Sequence, residues 1–63
     1  MDLKAMIADL LGINKNQISV RKYSQGSAKG QYNIFIKAGV DESDAKEAIR
    51  NVLPPETKFA LYL

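Results

Sequence analysis

Tyr32-Asn33-Ile34-Phe35-Ile36-Lys37-Ala38-Gly39-Val40-Asp41-Glu42-Ser43-Asp44-Ala45 is the stretch in which the apolar spacing of the chain changes. Up to Lys37, Tyr32, Ile34 and Ile36 alternate with Asn33, Phe35 and Lys37, the two-residue period of a strand with one buried face. Gly39 breaks that run. Asp41 then stands where a helix N-cap belongs, with Glu42 and Asp44 in the first turn at the positive end of the helix dipole and Val40 placed as a staple. Beyond it Ala45, Ala48, Ile49, Val52 and Leu53 follow the spacing of one buried helical stripe. Glu42 and Lys46 form an i, i+4 pair in the favourable order. A strand that passes into a helix within five residues, followed by further strand pattern, predicts a mixed α+β domain.

Working outward, Ile18 and Val20 alternate with Ser19 and Arg21, which predicts a strand over 17–23. The alternation fails at its end, where Lys22 occupies an apolar parity and Tyr23 the other, so the strand either reaches the sheet rim or carries a bulge there. The polar segment from Ser24 to Gly30 joins the two strands as an antiparallel hairpin with a mobile tip. Further upstream, Leu3, Met6, Ile7, Leu10 and Leu11 give a helix over 3–11, with Asp2 as its cap, Gly12 closing it in a left-handed conformation and Ile13 packing back. Downstream, Pro54-Pro55 stops the second helix, and Phe59, Leu61 and Leu63 alternate with Lys58, Ala60 and Tyr62 in a last strand.

The order is αββαβ in a single domain spanning 1–63. Two helices with one apolar stripe each and three strands with one apolar face each satisfy one another when both helices cover the same side of one sheet. The expected fold is therefore α+β, a two-layer sandwich with two helices on one face of a three-stranded mixed or antiparallel sheet. A right-handed crossover would set the third strand parallel to the second, with its neighbour left open between strand one and strand two.

Composition narrows the chemistry. The chain has no Cys, His or Trp and balances nine basic against seven acidic side chains. Without His or Cys, acid-base and nucleophilic catalysis near neutral pH lose their usual agents, so an enzyme, a cofactor and a small-molecule substrate are not expected. Asp41, Glu42 and Asp44 cluster in a helix start, where capping accounts for them, and they lack the oxygen spacing of a calcium loop. Gly26-Ser27-Ala28-Lys29-Gly30 has too few residues between its glycines for a Walker loop and leads into a strand, not a helix. Met1-Asp2 opens an amphipathic pattern instead of a signal peptide, and no apolar run reaches the ~18 residues of a membrane span, so a cytoplasmic location without membrane contact is expected.

The charges are unevenly placed. From Leu10 to Val40 the chain holds Lys15, Arg21, Lys22, Lys29 and Lys37 and no acid. With the apolar parities turned inward, Ser19, Arg21, Tyr23, Asn33, Phe35, Lys37, Lys58, Ala60 and Tyr62 face away from the helices. The candidate binding residues are therefore Arg21, Tyr23, Phe35, Lys37, Lys58 and Tyr62. Aromatic rings among cations suit a protein interface, and a domain this small, without disulfides, gains from a partner or from self-association. They also suit single-stranded nucleic acid, with Lys15, Lys22 and Lys29 as further phosphate contacts. The first reading is a non-enzymatic protein-binding or assembly module; the alternative is a small nucleic-acid-binding module. A small regulator docking on a larger machine is a variant of the first.

The whole pattern, an apolar helix ending in Leu11-Gly12-Ile13, the strand Ile18-Ser19-Val20, a polar hairpin, the strand from Tyr32 to Lys37, a helix with Ala48-Ile49 and Val52-Leu53, a proline turn and a last strand, is similar to the αββαβ ring-building domains of bacterial secretion and flagellar basal-body rings. It also resembles the comparable domain of phage baseplate J-like proteins. The resemblance rests on element order and patterning. It implies a domain that packs beside copies of itself or its neighbours and has no catalytic role.

Overall fold

The computed structural model describes residues 2–27 and 29–63 of the chain, so Met1 and the Ala28 position of the glycine loop lie outside the described residues. Helix α1 spans Leu3–Leu11, strand β1 Ile18–Lys22, strand β2 Tyr32–Ile36, helix α2 Glu42–Val52 and strand β3 Phe59–Tyr62. This is the α+β, αββαβ arrangement that the patterning predicts. A 3-10 turn, Lys15–Gln17, takes the place of the first predicted strand residue. It is held by Asn14, whose side chain accepts from the Asn16 N–H while the Gln17 side chain accepts from the Asn14 N–H.

The sheet order is β1-β2-β3, with β1 and β2 antiparallel and β2 and β3 parallel. The third strand thus sits beside the second. Register runs Ile18 to Ile36, Val20 to Ile34 and Lys22 to Tyr32 without interruption, so the broken alternation at Lys22 marks the rim of the sheet and not a bulge.

Both helices close on one face. Ile7 and Ala8 of α1, Ile18 of β1, Ile34 and Ile36 of β2, and Ala45, Ile49 and Leu53 from α2 and its cap make a single buried cluster. Ala8, Ala45 and Ala48 are all buried, and such small residues let packed helices approach closely. Their burial also rotates the α1 stripe relative to the one read from the sequence. Ile7, Ala8 and Leu11 define the inward direction, which leaves Leu10 on the flank and 56% exposed. Leu63 departs from expectation too: it lies one residue past β3 and is 57% exposed.

The helix ends are set by local chemistry. The Asp2 carboxylate accepts from the Lys4 N–H, and Asp41 accepts from Ser43 and Asp44 N–H groups, so each helix has its N-cap. At the end of α1, Gly12 has φ 68°, its N–H donates to the Asp9 carbonyl, and Ile13 N–H donates to Ala8. That pair of bonds is the Schellman closure, and it turns half-buried Ile13 back onto the core. α2 ends differently: Leu53 precedes proline and is extended (φ −89°, ψ 151°), because the following ring disfavours helical backbone at that position.

Gly12, which closes α1, and Gly39, which precedes α2, make a paired prediction. Gly12 and Gly39 both have open space where a Cβ would project, but only Gly12 has a left-handed φ. Gly12→Ala should destabilise the domain by about 1 kcal/mol through backbone strain alone. Gly39→Ala should stabilise it by about 0.5 kcal/mol by restricting the unfolded chain. Urea denaturation of the two variants checks both signs.

Candidate functional site

The face of the sheet turned away from the helices is built in rows by the strand register. Ser19, Phe35 and Tyr62 are neighbours across the three strands, and Arg21, Asn33 and Ala60 form the next row. Tyr23 and Lys58 flank β2 at the third level, where Tyr23 N–H donates to the Gln31 carbonyl and Tyr32 N–H donates to that of Lys58. Lys37 follows β2 at the opposite end, and its N–H continues the ladder to Gln17 at 2.7 Å. All six candidate binding residues, Arg21, Tyr23, Phe35, Lys37, Lys58 and Tyr62, therefore belong to this face or its margin.

The aromatic residues are not scattered. Phe35 and Tyr62 stack with ring centroids 4.8 Å apart and planes inclined by 14°. The Tyr23 hydroxyl accepts from the Asn33 side-chain amide at 2.8 Å, which anchors that ring across β1 and β2. Asn33 was legible as an outward residue, but its part in holding Tyr23 depends on a diagonal contact that sequence spacing does not reveal. Phe35 is half-buried beneath its neighbours, whereas Tyr23 and Tyr62 are exposed at 46% and 49%. The rings thus form a supported but solvent-facing patch.

Its electrostatics are one-sided. Arg21, Lys37 and Lys58 share this face or its margin with the rings, and the acids stand on the helices, their caps or the α2 to β3 turn. Among the described residues the ion pair found is Lys46 with Glu42 on α2, at 3.2 Å. The cations of the open face have no carboxylate partner among those residues.

The three further lysines do not join this patch as one cluster. Lys15 lies in the turn before β1 and Lys29 in the loop beyond it, at opposite ends of a five-residue strand. Lys22 turns to the helix side, where its ammonium rests 5.4 Å from the centre of the Tyr32 ring, its cross-strand neighbour. The concave surface of the molecule is elsewhere as well. The main groove runs between α2 and β3, lined by Glu42, Lys46, Arg50, Leu53, Phe59 and Leu61 among others. Among the described residues no group of acids could hold a metal ion, and no helix is long and apolar enough to cross a membrane.

Compared with family models, curated proteins and solved structures, the chain finds no match.

The stack itself is testable. Phe35→Ala and Tyr62→Ala should each lower stability, and a double-mutant cycle should return a coupling of about 1 kcal/mol for rings in contact. Strict additivity in denaturant melts would show that the rings do not touch in solution.

Proposed function

We propose that this chain is a non-enzymatic protein-binding or assembly module that works through the open face of its sheet. The observation that carries the reading is the Phe35–Tyr62 stack, set on the open face of the sheet with Tyr62 49% exposed and sharing that face with Arg21, Lys37 and Lys58. Small ligands favour concave sites that enclose them, whereas flat surfaces with aromatic and Arg anchors suit macromolecular partners. Rings already fixed by stacking and by the Asn33 hydrogen bond lose little side-chain freedom when a partner covers them. The cations around them favour a partner with acidic groups at its rim, which gives orientation and encounter rate more than affinity.

The analogy of element order with ring-building and baseplate J-like domains agrees with an assembly role, in a cytoplasmic or phage-derived machine. Nucleic acid is the competing reading. It is less favoured because Lys15, Lys22 and Lys29 diverge from the aromatic patch instead of extending it, while single-stranded binding needs a basic track running beside the stacking rings.

A photo-crosslinking amino acid at Tyr62 or Tyr23 should capture a defined protein in cells, whereas the same group at Glu47 on α2 should not. Binding of that protein should be lost in Tyr62→Ala and Phe35→Ala chains that keep the wild-type fold by circular dichroism. Capture from Glu47 alone would place the interface on the helices and reject the reading. Amide shifts at Arg21, Tyr23, Lys29 and Phe35 on adding short oligonucleotides, fading steeply as salt rises, would establish nucleic acid instead.

A further inference from the structure

The outer edge of β3 is a second surface, distinct from the open face. In the β2–β3 ladder Tyr32 faces Phe59 and its N–H donates to Lys58. In a parallel pair that register turns the backbone groups of Lys58, Ala60 and Tyr62 toward β2, and those of Phe59, Leu61 and Leu63 away from it. Among the described residues no strand pairs with that outward row. An exposed edge ordinarily carries charge, proline or a bulge that discourages pairing. The β1 edge has such protection in Arg21 and Lys22. Residues 59–63, Phe-Ala-Leu-Tyr-Leu, have none.

We infer that β3 pairs antiparallel with β3 of a second copy of this chain, around a two-fold axis at Leu61, to give a continuous six-stranded sheet. The observations select this occupant by self-complementarity. With Leu61 facing Leu61 of the other copy, Phe59 faces Leu63 and Ala60 faces Tyr62, so like parities meet and every outward N–H and C=O of the edge finds a partner. Leu63, 57% exposed in the single chain, then lies beside Phe59 of the other copy at the apolar floor of the groove between α2 and β3.

Charge agrees with the same symmetry. α2 connects two parallel strands and therefore runs opposite to β3. The two-fold axis reverses the second α2, so the acidic first turn of one copy, Glu42 and Asp44, lies on the side of the basic last turn, Arg50, of the other. Glu42 and Arg50 both line the groove that the axis would double. A small domain without disulfides is also one for which oligomerisation supplies missing buried surface. The pairing leaves Phe35 and both tyrosines of the open face uncovered, and it joins two such faces side by side.

Sedimentation equilibrium of the synthetic chain across a wide concentration range tests the inference. The expected result is a reversible monomer–dimer equilibrium. Backbone N-methylation at Leu61 should abolish it, since this removes an outward N–H but leaves the side chain and the β2 ladder intact; the variant's fold is checked by circular dichroism. Isotope-filtered spectra of mixed labelled and unlabelled chains should show Phe59 of one copy in contact with Leu63 of the other, a readout independent of the variant's folding. A chain that stays monomeric at millimolar concentration overturns the inference. So does a dimer that survives in the folded N-methyl variant, or one whose intermolecular contacts fall on Phe35 and Tyr62 and not on Phe59 and Leu63. Tyr62 stands at the β3 seam, but Tyr23 follows β1 on the far side of the sheet, so partner capture from Tyr23 is read separately and either proposal can fail without the other.

Discussion

Burial of one face of the central strand is the constraint on which the rest depends. Ile34 and Ile36 are essentially inaccessible, and they are covered because α1 and α2 both lie over them. Among the described residues both helices lie on this one side of the three-stranded sheet. The residues that alternate with Ile34 and Ile36 thereby face away from the helices, and Phe35, half-buried, is the residue between them. The open aromatic face is thus a geometric consequence of the core, and its chemistry follows from which side chains the chain places at the outward parity.

Once the face exists, its organisation comes from pairing. Phe35 and Tyr62 are 27 residues apart in the chain and meet because β3 joins the sheet beside β2 and parallel to it. Had β3 joined beside β1, Tyr62 would have lain a strand's width further from Phe35. The same topology leaves β3 at an edge with its outward backbone groups free, so one choice of strand order generates both the stacked rings and the unprotected edge. The face and the edge are two surfaces with different physics: rings and cations on one, hydrogen-bonding groups and apolar side chains on the other.

Much of this was legible in the sequence because local signals agreed. Asp2, Gly12, Asp41 and Pro54 mark helix ends by mechanisms that act within a few residues, and the two-residue alternation of β2 separates Ile34 from Phe35 without reference to the rest of the fold. Where the reading fell short, the missing information was non-local. Leu10 satisfies the helical template as well as Leu11 does, and only the packing of α1 in the folded domain decides which of them is covered. Leu63 has the inward parity of Phe59 and Leu61, but it lies past the end of β3 and parity alone gives no burial there. Strand order, the ring stack it produces and the Asn33 contact to Tyr23 all lie between elements, and none has a signature in spacing along the chain.

The central claim is that the isolated domain has one sealed face and one bare aromatic face. Relaxation of side-chain protons by a soluble paramagnetic agent measures that difference residue by residue. Strong enhancement is expected at the Tyr23 and Tyr62 rings, an intermediate effect at Phe35 and almost none at the methyl groups of Ile34 and Ile36. Equal protection of Tyr62 and Ile34 in the chain free of partners would mean that the outward face is covered, and would contradict it.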